Sequence, residues 1–493
     1  MPLRAAIILS IALFSAVTHA ASPPLELSDD LIHDKIRGAL IGEIFGDLNG
    51  LPHEMKYIDS PGKVENYVPT LSDGAWTDDD TDVEWVHHFY MDKLQTAYVP
   101  YDQITAAWKK HINRRIWSAN EYARRLMDLG IEPPYTGRIA INPFSIFNIS
   151  GEFCAESFGL CAPAMPQTAS KIGLHYTHIT IDGEPAQQTQ FFDTMISLAF
   201  VEPDINKLID AGTAALDPQS ELRQVLADTR RWCAQYPDWH DARKAIHDKY
   251  TLHQNELPDK NGYQLNTAAI VAALLYGKGD FTETIRMTFN FGWDADCTSA
   301  TAGTIIGCIK GGRYFDDQIA HHGWILPDVY KNTCRDQMPM NETVTGYVDR
   351  VYRIAKRTLL ASGAQEQQVD GKTAYLIPAE SPANIEPLPH PLDRNAELTQ
   401  ELLPGIEKDL TGSGTDKARA AYLAICLGQA TRLSQDRPAD WSAAVAELKL
   451  HAGLVNKLYS APKTVAADFQ NRFHAAGVDR SSGELLKSSS QPK

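Results

Sequence analysis

Two short stretches concentrate the residues able to do chemistry. Thr77-Asp78-Asp79-Asp80-Thr81-Asp82 holds four carboxylates in six positions, and Asp294-Ala295-Asp296-Cys297-Thr298-Ser299 holds two. Each stands just before a run with helical spacing. One acid there is explained by capping, because a side-chain oxygen satisfies orphan N–H groups and the macrodipole favours an anion. A cap uses one side chain, however. Consecutive carboxylates repel each other at neutral pH unless a cation neutralises them. Hard divalent cations take oxygen ligands at about 2.1–2.5 Å. Four or five carboxylates from two loops suit two metals ~3.5–4 Å apart, so the pair of stretches reads as a dinuclear site.

Such loops must be brought together by the elements behind them. Gly38, Gly42, Gly46 and Gly50 recur every four residues, and so do Gly303, Gly307 and Gly311. On a helix these positions share one face. Each interior glycine costs about 1 kcal/mol against alanine, so a row of them needs a compensating gain. Close approach of two helix backbones supplies it. The ladders are therefore expected to draw the loops at their ends together.

The rest of the composition narrows the possibilities. The 493 residues are 43% hydrophobic and 22% charged, which fits a globular chain of two or three domains. Lys plus Arg number 46 against 62 Asp plus Glu, a net charge of −16, so a general basic face for nucleic-acid backbones is excluded. Arg4 precedes an almost wholly apolar run from Ala5 to Val17, and Thr18-His19-Ala20 supplies small residues at the −3 and −1 positions. Residues 1–20 read as a signal peptide, giving a periplasmic or secreted protein with no membrane segment after cleavage. Seven cysteines without a CxxC pair leave at least one thiol unpaired and support neither a zinc knuckle nor c-type haem. Cys154 and Cys161 are the nearest pair, but spacing alone does not establish a bridge.

Along the chain, residues 21–30 read as an exposed leader and those from Leu31 to about Ala361 as helices separated by turns. Val83, Val86, Tyr90 and Leu94 keep helical spacing, as do Ala268, Val271, Leu274 and Leu275. Ile179-Thr180-Ile181 is a brief strand-like exception before the Asp182-Gly183 turn. Five prolines between Pro378 and Pro391 mark residues 365–393 as a linker. Helical periodicity returns over 394–478, with breaks near Gly412-Ser413-Gly414 and Pro438, and 479–493 read as a frayed tail. The expected units are thus a helical domain at 21–364, a linker and a small C-terminal helical module.

The motifs resemble those of a known family. Gly42-Glu43-Ile44-Phe45-Gly46-Asp47-Leu48-Asn49-Gly50-Leu51-Pro52-His53-Glu54 resembles the GxxxGDxxGxPxE signature of ADP-ribosylglycohydrolases. Trp76-Thr77-Asp78-Asp79-Asp80-Thr81 is similar to that family's TDDT loop, and Gly292-Trp293-Asp294-Ala295-Asp296 to its GGDTDT loop. The order and spacing agree over residues 31 to about 360.

The resemblance implies an all-α orthogonal helical bundle with two Mg²⁺ ions, Mn²⁺ being an alternative. It implies cleavage of the bond between the anomeric carbon of ADP-ribose and a protein side chain or small acceptor. Thr77, Asp78, Asp79, Asp80, Asp294 and Asp296 would be metal ligands, and Glu54 and Asp79 catalytic residues. Trp293 would contact substrate, and so would His175 and Asp182, which lie in a central region, residues 148–201, that includes Asn148, Glu152 and Gly159. A lone histidine is also often a packed one.

Two departures stand out. TDDD replaces TDD, which leaves Thr77-Asp78-Asp79 and Asp78-Asp79-Asp80 as alternative ligand sets. Cys297 stands where the family has a Thr or Ser ligand, and a thiol is a poor Mg²⁺ ligand. Hydrolysis of another N- or O-riboside and a non-catalytic ADP-ribose- or metal-binding role remain alternatives. The partner in each case is ADP-ribose or a related conjugate, including an ADP-ribosylated protein.

Overall fold

The structure, a computed structural model, describes residues 23–146, 149–153, 156–251, 262–388, 394–461 and 463–480. The expected signal peptide at 1–20, Asn148, Cys154 and the tail beyond 480 lie outside the described residues.

The fold is all-α with a few short strands. Strand β1 (Leu25–Ser28) leads into α1 (Asp29–Gly50), then β2 (Ala75–Trp76), α2 (Asp79–Leu94), α3 (Tyr101–His111) and α4 (Ser118–Asp128). Next come α5 (Pro166–Thr177), α6 (Glu184–Leu198), α7 (Ile205–Ala215), α8 (Glu221–Gln235) and α9 (Trp239–Tyr250). Helices α10 (Tyr263–Gly277), α11 (Phe281–Phe291), α12 (Ala295–Lys310) and α13 (Gly312–His321) follow. Strands β3 (Tyr330–Lys331) and β4 (Asn341–Glu342) precede α14 (Val344–Ala361), and β5 (Gln365–Val369) and β6 (Lys372–Ile377) come after it. The remaining helices are α15 (Asn395–Asp409), α16 (Gly414–Cys426), α17 (Ala430–Asp436), α18 (Pro438–Leu450), α19 (Ala452–Ser460) and α20 (Lys463–Ala475).

Burial follows the sequence pattern. Helices α1, α10 and α12 are buried on nearly every side and occupy the centre of the main core. A helix with apolar or small residues all round has no face to offer water. The C-terminal helices build a second core, and it is shared. Leu126 of α4 and Phe144 pack with Ile406, Leu448 and Phe473. The Tyr422 hydroxyl donates to the Ile141 carbonyl at 2.6 Å and lies 2.8 Å from that of Tyr122. Ser413 opens α16 with a capping box to Asp416, and Pro438 opens α18, so both expected breaks fall at helix starts.

Three expectations are corrected. Residues 365–377 are not linker: β5 and β6 form an antiparallel hairpin. Its turn is Asp370-Gly371 with both φ angles positive, +51° and +75°, the type I′ geometry that an Asp-Gly pair favours. The prolines begin only after this hairpin. Residues 25–28 of the expected leader are the third strand, Leu25 pairing with Ile377 and Ser28 with Ala374, and α1 already starts at Asp29. Ile179–Ile181 is not strand but the turn between α5 and α6, where Ile179 accepts the Thr136 hydroxyl at 2.7 Å.

Candidate metal centre

The two glycine ladders lie against each other. A methyl group added to Gly38 would stand 2.4 Å from the Gly307 carbonyl oxygen, one on Gly42 2.2 Å from that of Gly303, and one on Gly46 2.1 Å from that of Ser299. One on Gly50 would stand 2.5 Å from the Asp296 α-carbon. The pairs run in opposite directions, so α1 and α12 are antiparallel with backbones in contact. The last turn of α1 therefore meets the first turn of α12, where the second acidic stretch lies.

Two groups of three carboxylates result. Asp47, Asp78 and Asp80 each place an oxygen within 4.8 Å of the other two, and Glu54, Asp294 and Asp296 do the same. Two oxygens bound to one ion at about 2.1–2.5 Å are at most twice that apart, so each group is compact enough to share a cation. The groups face each other, since the charges of Asp296 and Asp294 act on Asp80, and those of Asp47 and Asp78 on Asp296.

Capping does not explain these acids. Ser28, Asp204, Ser220, Asp238, Asp280 and Thr343 all spend a side-chain oxygen on the first turn of their helices. Asp78 and Asp294 hold the same position before α2 and α12 and make no such bond. Both Asp47 oxygens and Oδ1 of Asp296 are buried without a hydrogen bond. Thr81 is near Asp47, but its hydroxyl bonds the Asp78 carbonyl at 3.4 Å and meets the Tyr330 hydroxyl at 3.1 Å. Burial, then the neighbouring carboxylates, holds Asp47, Asp80 and Asp296 far above the ordinary carboxylate range. Buried anions without partners are costly, and a divalent cation is the compensating charge this donor set fits.

The loop holding Glu54 is fixed through its backbone to the turn between α11 and α12. Met55 N–H donates to the Trp293 carbonyl at 2.8 Å, and Trp293 N–H to that of Tyr57 at 3.4 Å. Arg243 Nε donates to the Phe291 carbonyl at 2.7 Å, and its Nη2 to those of Tyr57 and Ile58 at 2.6 and 3.0 Å. Its guanidinium lies 4.7 Å over the Trp293 ring.

The expected site residues thus divide. Asp78, Asp80, Asp294, Asp296 and Glu54 converge. Asp79 belongs to neither group of three; it is half-buried, with its carboxyl beside those of Asp78 and Asp82 and the charge of Arg335. The Thr77 side-chain oxygen accepts from Thr333 N–H at 2.8 Å. Trp293 is fully buried beneath Arg243, which makes it a fastener of the loop and leaves no face for substrate. His175 is a packed histidine: its Nε2 lies 2.8 Å from the Val99 carbonyl oxygen and its ring stacks on Tyr101 at 4.5 Å. Asp182 pairs with Arg138 at 3.4 Å and lines a cavity of about 170 Å³ beside α15 with Tyr135 and Arg394. Cys297 belongs to neither group of three: its thiol donates to Glu152 Oε1 at 3.5 Å, and burial, then the charge of Asp80, keeps it a thiol. Thr298 turns to the Ala295 carbonyl at 3.4 Å.

Asp47 is the ligand candidate that sequence reasoning passed over, although it sits inside the quoted signature. Its signal is an acid in the second half of α1, where residues 39–50 are otherwise apolar or glycine apart from Glu43 and Asn49. Glu43, one turn earlier, belongs to a deeper buried tier with Glu84 and Glu156. Thr304 donates to Glu43 at 3.5 Å, Ser157 N–H to Glu84 at 3.1 Å and Thr301 to Glu156 at 3.3 Å.

No curated protein matches the sequence. Among solved structures, one described as an ADP-ribosylglycohydrolase-related protein complex is 16% identical, with a TM-score of 0.40, and the match covers 67% of this chain and 99% of that one. The sequence model of the ADP-ribosylglycohydrolase family matches residues 28–358, a span that includes α1, both acidic stretches and α12. That is about two thirds of the chain, which therefore belongs to the ADP-ribosylglycohydrolase family.

Proposed function

We propose that the protein hydrolyses the glycosidic bond of ADP-ribose conjugates in a reaction dependent on divalent metal. The supporting observation is the pair of facing carboxylate groups, in a chain of this family, in which both Asp47 oxygens and Oδ1 of Asp296 are buried without a hydrogen bond. Asp47, Asp78 and Asp80 would hold one ion, and Glu54, Asp294 and Asp296 the other. All are oxygen donors, which suits Mg²⁺ and also Mn²⁺. When bound, such ions orient the ribose hydroxyls and lower the pKa of a coordinated water.

The chain's own residues supply the rest. The transition state carries oxocarbenium character at the anomeric carbon, so nearby fixed carboxylates stabilise it. Glu54 sits at the edge of its group on a backbone-anchored turn, where it can orient the attacking water or accept its proton. Half-buried Asp79, the first residue of α2, stands beside the ligands, placed to hold a sugar hydroxyl. The acceptor is a modified protein side chain or a small molecule, and residues 1–20 direct the chain to the periplasm or outside the cell. No helix among the described residues is long and apolar enough to cross a membrane.

The test is calorimetric titration of the purified protein with Mg²⁺ and ADP-ribose, followed by assay of ADP-ribose release from a modified peptide. Metal-dependent binding and turnover, lost in Asp80→Asn, support the reading. Turnover untouched by chelator and by Asp80→Asn overturns it. Metal binding with turnover only of ribosides lacking the diphosphate moves the substrate to another riboside.

A further inference from the structure

The acidic segment before α2 is held from one side by a single short turn. Strand β2 runs parallel to β3, and Thr77 N–H donates to the Lys331 carbonyl at 2.8 Å. Immediately after β3, Thr333 N–H donates to the Thr77 hydroxyl at 2.8 Å, and the Thr333 hydroxyl to the Thr77 carbonyl at 2.6 Å. Cys334 Sγ then donates to Asp82 Oδ2 at 2.9 Å, and Arg335 Nε to Asp82 Oδ1 at 2.5 Å. Residues 333–335 therefore grip both ends of the segment, and Asp78, Asp79 and Asp80 are the span between the grips. Asp82 has both oxygens engaged and is absent from the groups of three.

Arg335 does more than pair with Asp82. It is fully buried, and its Nη1 and Nη2 donate to the carbonyls of Arg114 and Arg115 at 2.7 and 3.2 Å. Those residues belong to the loop between α3 and α4, whose Arg114, Arg115 and Trp117 are exposed. One guanidinium thus ties the start of α2 to this loop. Its own turn is closed by Asn332, whose Oδ1 accepts from Arg335 N–H at 2.8 Å and whose amide donates to the Arg335 carbonyl at 2.7 Å. A planar fork holds its donors on three nitrogens in fixed directions, whereas a lysine carries its three donors on one nitrogen and cannot reach the same three acceptor positions.

We propose that Arg335 is a positioning residue for the metal centre: through Asp82 and the 114–115 carbonyls it fixes the backbone that aims Asp78 and Asp80 at Asp47. This rests on the reading that these three residues hold a divalent ion. The sign of its effect is diagnostic. If Arg335 acted only as a nearby positive charge, its removal would tighten cation binding, because like charges repel. Positioning requires the opposite.

The experiment is titration of Mg²⁺ and of Mn²⁺ into the full chain by calorimetry, with thermal unfolding in chelator alongside. The variants are Arg335→Met and Arg335→Lys, with Asp47→Asn as the control that removes a ligand. Expected is at least a tenfold loss of ion affinity in Arg335→Met and a smaller loss in Arg335→Lys. Equal or tighter binding in a folded Arg335→Met overturns the proposal, even if its melting temperature falls. If Arg335→Met does not fold, unchanged affinity in Arg335→Lys overturns it. Wild-type protein that binds neither ion, or binds it identically in Asp47→Asn, overturns the metal-centre reading and this proposal together. Loss of binding in Asp47→Asn with both Arg335 variants unaffected overturns this one alone.

Discussion

Gly42 and Gly303 meet backbone to backbone: a methyl group on either would stand 2.2 Å from the carbonyl oxygen of the other. This contact sets the distance between α1 and α12, and with it the position of Asp47 relative to Asp296. Gly42→Ala would gain about 1 kcal/mol of helix propensity. It would lose more by forcing the helices apart, since overpacking costs about 1–3 kcal/mol. The expected result is a lower melting temperature by calorimetry, with weaker Mg²⁺ binding because Asp47 and Glu54 lie on or just after α1 while Asp294 and Asp296 lie at the start of α12.

Asp47 should act in opposite directions with and without ion. Its buried carboxylate has no hydrogen bond. Asp47→Asn removes an acid that burial disfavours in its charged form, so the chelated variant is expected to melt at the same or a higher temperature than wild type. The rise in melting temperature on adding Mg²⁺ should vanish, and turnover should fall at least a hundredfold. A variant that keeps the Mg²⁺-induced rise would show that Asp47 is no ligand.

Glu43 predicts a pH dependence in the metal-free protein. Burial raises it from 4.5 to about 8. The folded state thus binds its proton more tightly than the unfolded state does. Stability from this group is full below about 4.5 and is lost as pH rises toward 8. Melting temperature in chelator, compared between wild type and Glu43→Gln, should show wild type falling behind across that window. His88 works the other way. Burial lowers it from 6.5 to about 3, so its contribution is present above 6.5 and lost as pH falls toward 3. His88→Gln should flatten that acid limb.

The shared C-terminal core predicts one cooperative unit. Tyr422→Phe strands the Ile141 carbonyl and removes the hydroxyl beside Tyr122. An unmet buried polar group costs about 1–3 kcal/mol. Differential scanning calorimetry should show a single transition at lower temperature. Two separate transitions would mean that the C-terminal helices unfold on their own.

His175→Ala should reduce stability and leave KM unchanged. Its ring fills the space between Tyr101 and Tyr176 and meets the Val99 carbonyl, all structural contacts. A rise in KM without a stability loss would return it to the substrate site.

Much of this protein is legible in its sequence because the relevant signals are local or periodic. Glycines every fourth residue can be explained only by backbone contact. Aspartates crowded before helices exceed what capping uses, and apolar spacing gives helix positions directly. The Asp370-Gly371 turn was equally legible, but the nearby prolines drew the segment to the linker reading.

Tertiary structure decided which acids converge. Sequence spacing cannot tell that Asp47, 31 residues before Asp78, faces it across a helix contact, or that the extra aspartate of the TDDD loop shifts the inward positions to Asp78 and Asp80. Nor can it show that Trp293 and His175 are packed away, or that Arg335, more than 250 residues downstream, grips Asp82. Periodicity reports which face of an element is buried. What that face meets depends on contacts between residues far apart in the chain, and those exist only once the helices have packed.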